Sequence, residues 1–279
     1  MKIFEYARMK IKEFEADCES IGDVTPVDVA YGYRMFVKLG DPGLGRQLIV
    51  NNKRETLASQ YFMNDVAEGD VVIETGANLG YFTLMALQKP GVKVIAMEPL
   101  PDNVRILKMN LALNNVHDRV EVHQLAASDK EGMATFYVSK MCNSGGLFQK
   151  EKNVTGSIEV KTVKLDDFLP KKLPNSYLRM DTEGAELPII RGMHERLKKH
   201  PPKKMFIEIH PKELALQGSS AKDFMDVLKT YGYVFKAAFY EGAAVISPKP
   251  NHEFYDEKEY RENPEFETRA AQVFFEVKK

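Results

Sequence analysis

Apolar positions along this chain fall into short unbroken runs separated by stretches with helical spacing. Val71-Val72-Ile73 and Val94-Ile95-Ala96-Met97 are too short for helices and read as central strands buried on both faces. Between them, residues 81–88 predict a helix that Pro90 and Gly91 end; after the second run, Pro101-Asp102-Asn103 opens a helix carrying Val104, Leu107, Met109, Leu111 and Leu113. The alternation continues with strands over 120–127, 134–138, 158–165, 177–181 and 204–210 and a helix over 186–197. Another helix is capped by Ser220, with Asp223 in the capping-box position. Three extended runs, 233–237, 243–247 and 271–277, then follow without helices between them. Alternating β and α closed by strands alone predicts an α/β fold whose mostly parallel sheet has an antiparallel edge.

The first sixty residues read differently. Ile3, Phe4, Ala7, Ile11 and Phe14 share one helical face, and 31–38 and 46–50 read as two strands around the turn-forming Gly40-Asp41-Pro42-Gly43-Leu44-Gly45. The expected organisation is a helix-and-hairpin extension over 1–60, opening into a ligand-binding domain over 61–279. A polar stretch, 251–269, interrupts the last strands and reads as a lid or a surface loop.

Composition narrows the classes. A net charge of −1 over 279 residues offers no polyanion-binding surface. Cys18 and Cys142 have no metal-ligand spacing and read as free thiols, and no apolar run reaches membrane-spanning length. The expectation is a cytoplasmic protein.

The chemistry gathers at strand ends. Glu74-Thr75-Gly76-Ala77-Asn78-Leu79-Gly80 joins the first central strand to its helix, where open α/β sheets bind nucleotide-like ligands. A dinucleotide fingerprint needs glycine where this chain has Asn78 and Tyr81, and a phosphate loop's Gly-Lys-Ser/Thr is absent. A nucleoside ligand without phosphate fits better, and S-adenosylmethionine is one. Glu98, ending the second strand before Pro99, is placed to accept hydrogen bonds from ribose hydroxyls; Ser128 and Asp129 are placed to meet the adenine edge. A dehydrogenase would place its acid as Glu98 is placed, so the loop carries the choice of S-adenosylmethionine.

Residues 69–83, Glu98-Pro99 with Asn103 and Asn110, and residues 126–129, 179–186 and 207–210 resemble the FkbM-type family of S-adenosylmethionine-dependent methyltransferases, over roughly 35–245. The resemblance implies a class I methyltransferase (Rossmann-like) fold, a seven-stranded sheet whose last strand is antiparallel. It further implies an O-methyltransferase acting on a hydroxyl of a sugar, glycolipid or secondary metabolite. The family's loop begins with aspartate, where this chain has the longer Glu74. The expected cofactor contacts are Glu74, Gly76, Ala77, Asn78, Gly80, Glu98, Pro99, Ser128, Asp129 and Asp181.

In a parallel sheet, Asp181, Glu183, Glu208 and His210 gather on one rim. Asp181 is expected nearest the donor's methyl and amino groups, with Glu183 and His210 facing the acceptor and one of them as base. The same four residues have the chemistry of a magnesium or manganese site, although the leading reading uses no metal. Glu186 reads equally well as a carboxylate suited to a helix's first turn. A nucleic-acid methyltransferase is a second reading, weakened by the near-neutral charge and by Asp-Thr-Glu-Gly at 181–184 in place of Asn/Asp-Pro-Pro-aromatic. A third is a non-catalytic module that keeps the cofactor. The expected partners are a small-molecule or glycan acceptor and, through the aromatic-rich N-terminal segment, a second copy of the chain.

Overall fold

The structure is a computed structural model and describes residues 23–139, 145–148, 154–241 and 252–278. The expected N-terminal helix, both cysteines, the run 243–247 and the first part of the Asn143–Gly146 loop lie outside those residues.

The chain opens with an antiparallel hairpin, β1 (Val24–Val29) and β2 (Tyr33–Lys38), followed by helices α1 (Leu44–Asn51) and α2 (Thr56–Asp65). The expected strand over 46–50 is therefore a helix, and β2 pairs with β1 instead. Local capping outweighs the β-branched run: the Asp41 carboxylate accepts the N–H groups of Gly43 (3.1 Å) and Gly45 (2.7 Å), which nucleates the turn, while Ile49 and Val50 stay exposed.

The alternating part follows as β3 (Val71–Thr75), α3 (Tyr81–Ala86), β4 (Lys93–Met97), α4 (Pro101–Leu113), β5 (Val120–His123), β6 (Ala126–Ala127), β7 (Gly132–Ser139), β8 (Val154–Val163), α5 (Leu165–Phe168) and β9 (Ser176–Met180). Next come α6 (Glu186–Arg191), α7 (His194–Lys199), β10 (Lys204–Ile209), α8 (Pro211–Ala215), α9 (Ala221–Thr230), β11 (Tyr233–Glu241), β12 (His252–Tyr255), α10 (Glu257–Glu262) and β13 (Ala271–Val277). The main sheet runs β5-β4-β3-β9-β10-β13-β11-β12. β5 through β10 pair in parallel, and β13 is antiparallel to both its neighbours. The expected seven-stranded α/β sheet with an antiparallel last strand is thus present, and residues 252–255 add an eighth strand at its edge.

Three details depart from the expected elements. The run 120–127 divides, because β6 leaves the main sheet to pair with β8 in a separate three-stranded sheet, β6-β8-β7. The helix over 186–197 breaks at Gly192, where a Cβ would lie 2.0 Å from the Ser128 carbonyl oxygen. Asp166 starts the new helix by accepting the N–H groups of Glu195 (2.8 Å) and Arg196 (2.7 Å). Finally, the polar stretch near the C-terminus docks on the body, with Tyr260 fully buried and packed against Tyr240 and Phe266.

Strand periodicity divides the core in two. Val72, Val94, Tyr177, Phe206 and Phe274 face one side, where they meet α2 to α4 and bury Met35, Val37, Leu44 and Leu48 of the N-terminal elements. Ile73, Ile95, Leu178, Ile207 and Phe275 face the other, under α6, α7 and α9. Asn110 of α4 secures the hairpin: its side chain accepts the Phe36 N–H (2.6 Å) and donates to the carbonyls of Phe36 (3.2 Å) and Leu79 (2.8 Å). Among the described residues, no helix is long and apolar enough to cross a membrane.

Candidate active site

Sheet order reverses between β3 and β9, and the crevice beyond their carboxyl ends is where such sheets hold ligands. The loop after β3 shapes it. Gly76 has φ +79°, and a Cβ there would sit 1.9 Å from the Asp181 carbonyl oxygen, so only glycine lets the loop close onto β9. The N–H groups of Gly76 and Ala77 donate to the Met97 carbonyl at the end of β4 (2.9 and 3.0 Å). Asn78 adopts the left-handed region (φ +51°), and its N–H donates to Glu98 Oε2 (2.8 Å). Three strand ends are stitched together around a pocket.

One wall of the pocket is apolar, built from Leu100, Leu125, Ala126, Ala127, Phe136 and Leu147. The other carries Gly76, Asn78, Glu98, Asp181 and Glu183, with Pro99 beside Glu98. Asn78 Oδ1 and Thr182 Oγ1 are buried in this wall with no hydrogen-bond partner among the described residues, as groups awaiting a ligand would be. Glu98 is buried; its Oε1 accepts the N–H of Leu100 (3.0 Å) and the Asn103 amide (3.3 Å), while Oε2 takes the single donor from Asn78. That leaves acceptor capacity on Oε2 for a hydroxyl. Burial pushes the Glu98 carboxyl up to about 7, against the pull of the Leu100 and Asn78 N–H groups.

Other expected contacts stand back from the pocket. Ala77 and Gly80 form the loop from behind, and a Cβ on Gly80 would meet Leu107 at 2.5 Å. Ser128 and Asp129 lie just past the wall, which their neighbours Ala126 and Ala127 form instead. Glu74 is beneath it: Oε1 lies 3.6 Å from an Arg179 terminal nitrogen, and Oε2 accepts from the Thr83 hydroxyl. Its carboxyl is pushed up to about 7 by burial, with Arg179 and Thr83 opposing.

Arg179 is the residue that sequence reasoning missed here, although a charge inside an otherwise apolar central strand signals a buried partner. Its terminal nitrogens donate to the Gly76 carbonyl and to Asp181 Oδ2 (both 3.0 Å), and the guanidinium lies 4.4 Å from the centre of the Phe82 ring. Asp181 is therefore fixed. Burial works to raise its carboxyl, but Arg179, with His210 and Arg54, holds it below the ordinary aspartate value.

Asp181, Glu183 and His210 do come together, each offering a ligand atom within 4.8 Å of the others, a spacing that a hard divalent cation can bridge. Glu183 sits in the left-handed region (φ +52°) ahead of Gly184 (φ +103°), and this turn directs its carboxylate to within 3.5 Å of His210 Nε2. Glu208 Oε1 is 3.8 Å from the same nitrogen. Glu186, fully buried, is no mere dipole partner. Its Oε1 accepts the Gly184 N–H (3.0 Å) and the His210 Nδ1 proton (2.7 Å), which orients the ring and directs Nε2 toward the other acids. Burial alone would lower the imidazole's pKa; Glu183 and Glu186 raise it well above the usual histidine value. Burial, with Asp181 and Glu55, pushes Glu208 up to about 8.

These shifts fix a direction for stability. Glu74, Glu98 and Glu208 carry folded values of about 7, 7 and 8 against an ordinary 4.5, so the folded protein binds more protons than the unfolded chain across that window. The raised His210 acts in the same sense above 6.5, whereas the depressed Asp181 loses its contribution only as pH falls to 3.8 and below. Calorimetry of the ligand-free protein is expected to show a melting temperature that falls as pH rises from about 5 to about 8, with Glu208→Gln flattening the slope. A melting temperature that climbs over that range contradicts this account.

A family model described as the methyltransferase FkbM domain matches residues 74–235, more than half of the chain. Methyltransferase 1 of Beauveria bassiana is 29% identical over 148 residues, 44% of this chain and 58% of that protein. The 31-O-demethyl-FK506 methyltransferase FkbM of Streptomyces tacrolimicus is 42% identical over 84 residues, 29% of this chain and 32% of its own. The chain thus spans less than two thirds of the length of these relatives. Among solved structures, an rRNA methylase from Streptococcus thermophilus is 10% identical, covering 81% of this chain and 98% of its own with a TM-score of 0.46.

Proposed function

This chain belongs to the FkbM methyltransferase domain family, and from that premise we propose that it transfers the methyl group of S-adenosylmethionine to a hydroxyl of a small molecule, of the sugar, glycolipid or secondary-metabolite kind. The observation that carries the reading is Glu98, a buried carboxylate at the end of the second parallel strand with acceptor capacity left on Oε2, beside an apolar wall. The rest of the pocket fits as well. Asp181, held ionised by Arg179, suits an ammonium group, and the unpartnered Asn78 Oδ1 suits a donor.

The bound cofactor supplies an activated methyl on a sulfonium, so the protein needs to align the acceptor and exclude water rather than activate the donor. Asp181 orients the amino-acid end. His210 Nε2 takes the acceptor hydroxyl's proton, its ring fixed by Glu186 through Nδ1, and Glu183 and Glu186 stabilise the imidazolium that results. Carboxylates at 183 and 186 flank His210 on the acceptor side, which disfavours a nucleic-acid phosphate backbone there.

The test is calorimetric titration of S-adenosylmethionine and S-adenosylhomocysteine into wild type and Glu98→Ala. Micromolar binding, weakened at least about tenfold by the substitution, is expected, since tenfold is about 1.4 kcal/mol and a lost hydrogen bond to a charged group costs at least that. No heat with either ligand in folded protein overturns the reading. Binding without turnover on any hydroxylated acceptor favours the non-catalytic module.

A further inference from the structure

The turn between α1 and α2 brings a second arginine to the site from the N-terminal part of the chain. Asn52 and Glu55 both adopt the left-handed region (φ +50° and +48°), and Glu55 is buried. The backbone of Arg54 is held at both ends by one side chain. Its N–H donates to the Tyr81 hydroxyl (3.1 Å), which in turn donates to the Arg54 carbonyl (2.8 Å), and Ser59 Oγ donates to the same carbonyl (2.9 Å). Tyr81 begins the helix after the glycine loop, so the position of Arg54 is tied to that of the loop.

The Arg54 side chain lines a narrow slot with Ala77, Asn78, Arg179 and Asp181, and the slot shares Asn78 and Asp181 with the cofactor pocket. Two arginines therefore line it, and they are not equivalent. Both terminal nitrogens of Arg179 are engaged, one on the Gly76 carbonyl and one on Asp181. Arg54 uses Nε on Glu55, and its terminal nitrogens make no hydrogen bond among the described residues. A guanidinium fork with its terminal nitrogens unengaged is matched by a carboxylate, which it binds bidentately. The slot thus presents a carboxylate, Asp181, and an unengaged guanidinium side by side, the complement of an α-amino acid zwitterion.

We propose that Arg54 is the anchor for the α-carboxylate of the methionine end of S-adenosylmethionine, with Asp181 opposite its ammonium group. The inference rests on the methyltransferase reading and adds a cofactor contact contributed from outside the glycine loop and the strand ends. The same guanidinium would also suit a carboxylate on the acceptor, and the choice of ligands separates the two.

Wild type and Arg54→Met are titrated by calorimetry with S-adenosylmethionine and with its decarboxylated form, which keeps the sulfonium, the amine and the adenosine. Wild type is expected to prefer the carboxylated ligand at least about tenfold, or about 1.4 kcal/mol. Arg54→Met is expected to lose that preference by weakening the carboxylated ligand alone. If methionine unfolds the protein, Arg54→Lys reads the same quantity, because an ammonium keeps the charge and loses the fork; its preference should fall at least about threefold. A variant that keeps the full preference assigns Arg54 to the acceptor or to Glu55 alone and overturns the proposal. Equal weakening of both ligands makes the role structural and overturns it too. Failure of wild type to bind either ligand removes the methyltransferase reading along with it.

Discussion

Well above pH 7, where Glu74 is ionised, Arg179→Met is expected to cost about 3–5 kcal/mol of folding stability, the usual result of removing one partner from a buried ion pair. Glu74 and Arg179 are direct neighbours across β3 and β9, and each side chain is almost wholly buried, 1% and 4% exposed. Methionine fills the volume against Phe82 but leaves the Glu74 carboxylate with only the Thr83 hydroxyl, and strips the Gly76 carbonyl and Asp181 of their donors. Urea denaturation of the ligand-free protein measures the loss. Because uncompensated charge is the cause, the double variant Glu74→Gln/Arg179→Met should recover much of it, as replacing both members of a buried pair is often close to neutral. A single variant within about 1 kcal/mol of wild type at that pH would contradict the ion pair.

His210→Gln is expected to lower turnover by about 10²–10⁴ while leaving the affinity for S-adenosylmethionine nearly unchanged. His210 is absent from the pocket wall that suits the cofactor, and it meets that site only through Asp181 and Glu183. The pH profile gives a second reading of the same role. Because Glu183 and Glu186 raise the imidazole well above its ordinary value, the ring is protonated near neutral pH and accepts a proton only as pH rises, so wild-type turnover should increase with pH through that raised value. The residual activity of the variant should lack that rise. Single-turnover assays on an acceptor that wild type methylates, run across pH, check both statements; unchanged turnover in the variant would move the base to Glu183.

Much of this was legible in the sequence because the signals were local. The runs ending at Glu74 and Glu98 are strands by pattern alone, and the strand-only ending placed β13 antiparallel. Glu98 lines the pocket, where its donors, Asn78 and Leu100, come from the two loops that the strand ends create. Glu74 does not line it, because register sets its surroundings. Strand alternation turns it to the same side as Val72, and the residue facing it there, Arg179, arrives only with the fourth parallel strand. The run 46–50 fails for a related reason: its apolar residues suggested burial, while the Asp41 carboxylate had already settled the backbone. Arg54 left no signal at all, since nothing near it in the chain indicates that Tyr81 will hold it against the loop.

The Asn110 clamp bears on how the chain must be made. During synthesis the hairpin and α1 precede their partners, which lie in α3 and α4. Until that length has been translated, Met35, Val37, Leu44 and Leu48 have no core to enter, and the edges of β1 and β2 have no body to rest on. The hairpin thus waits for α4 before it can dock. In the cell their early exposure makes them the natural place for a chaperone to hold the nascent chain.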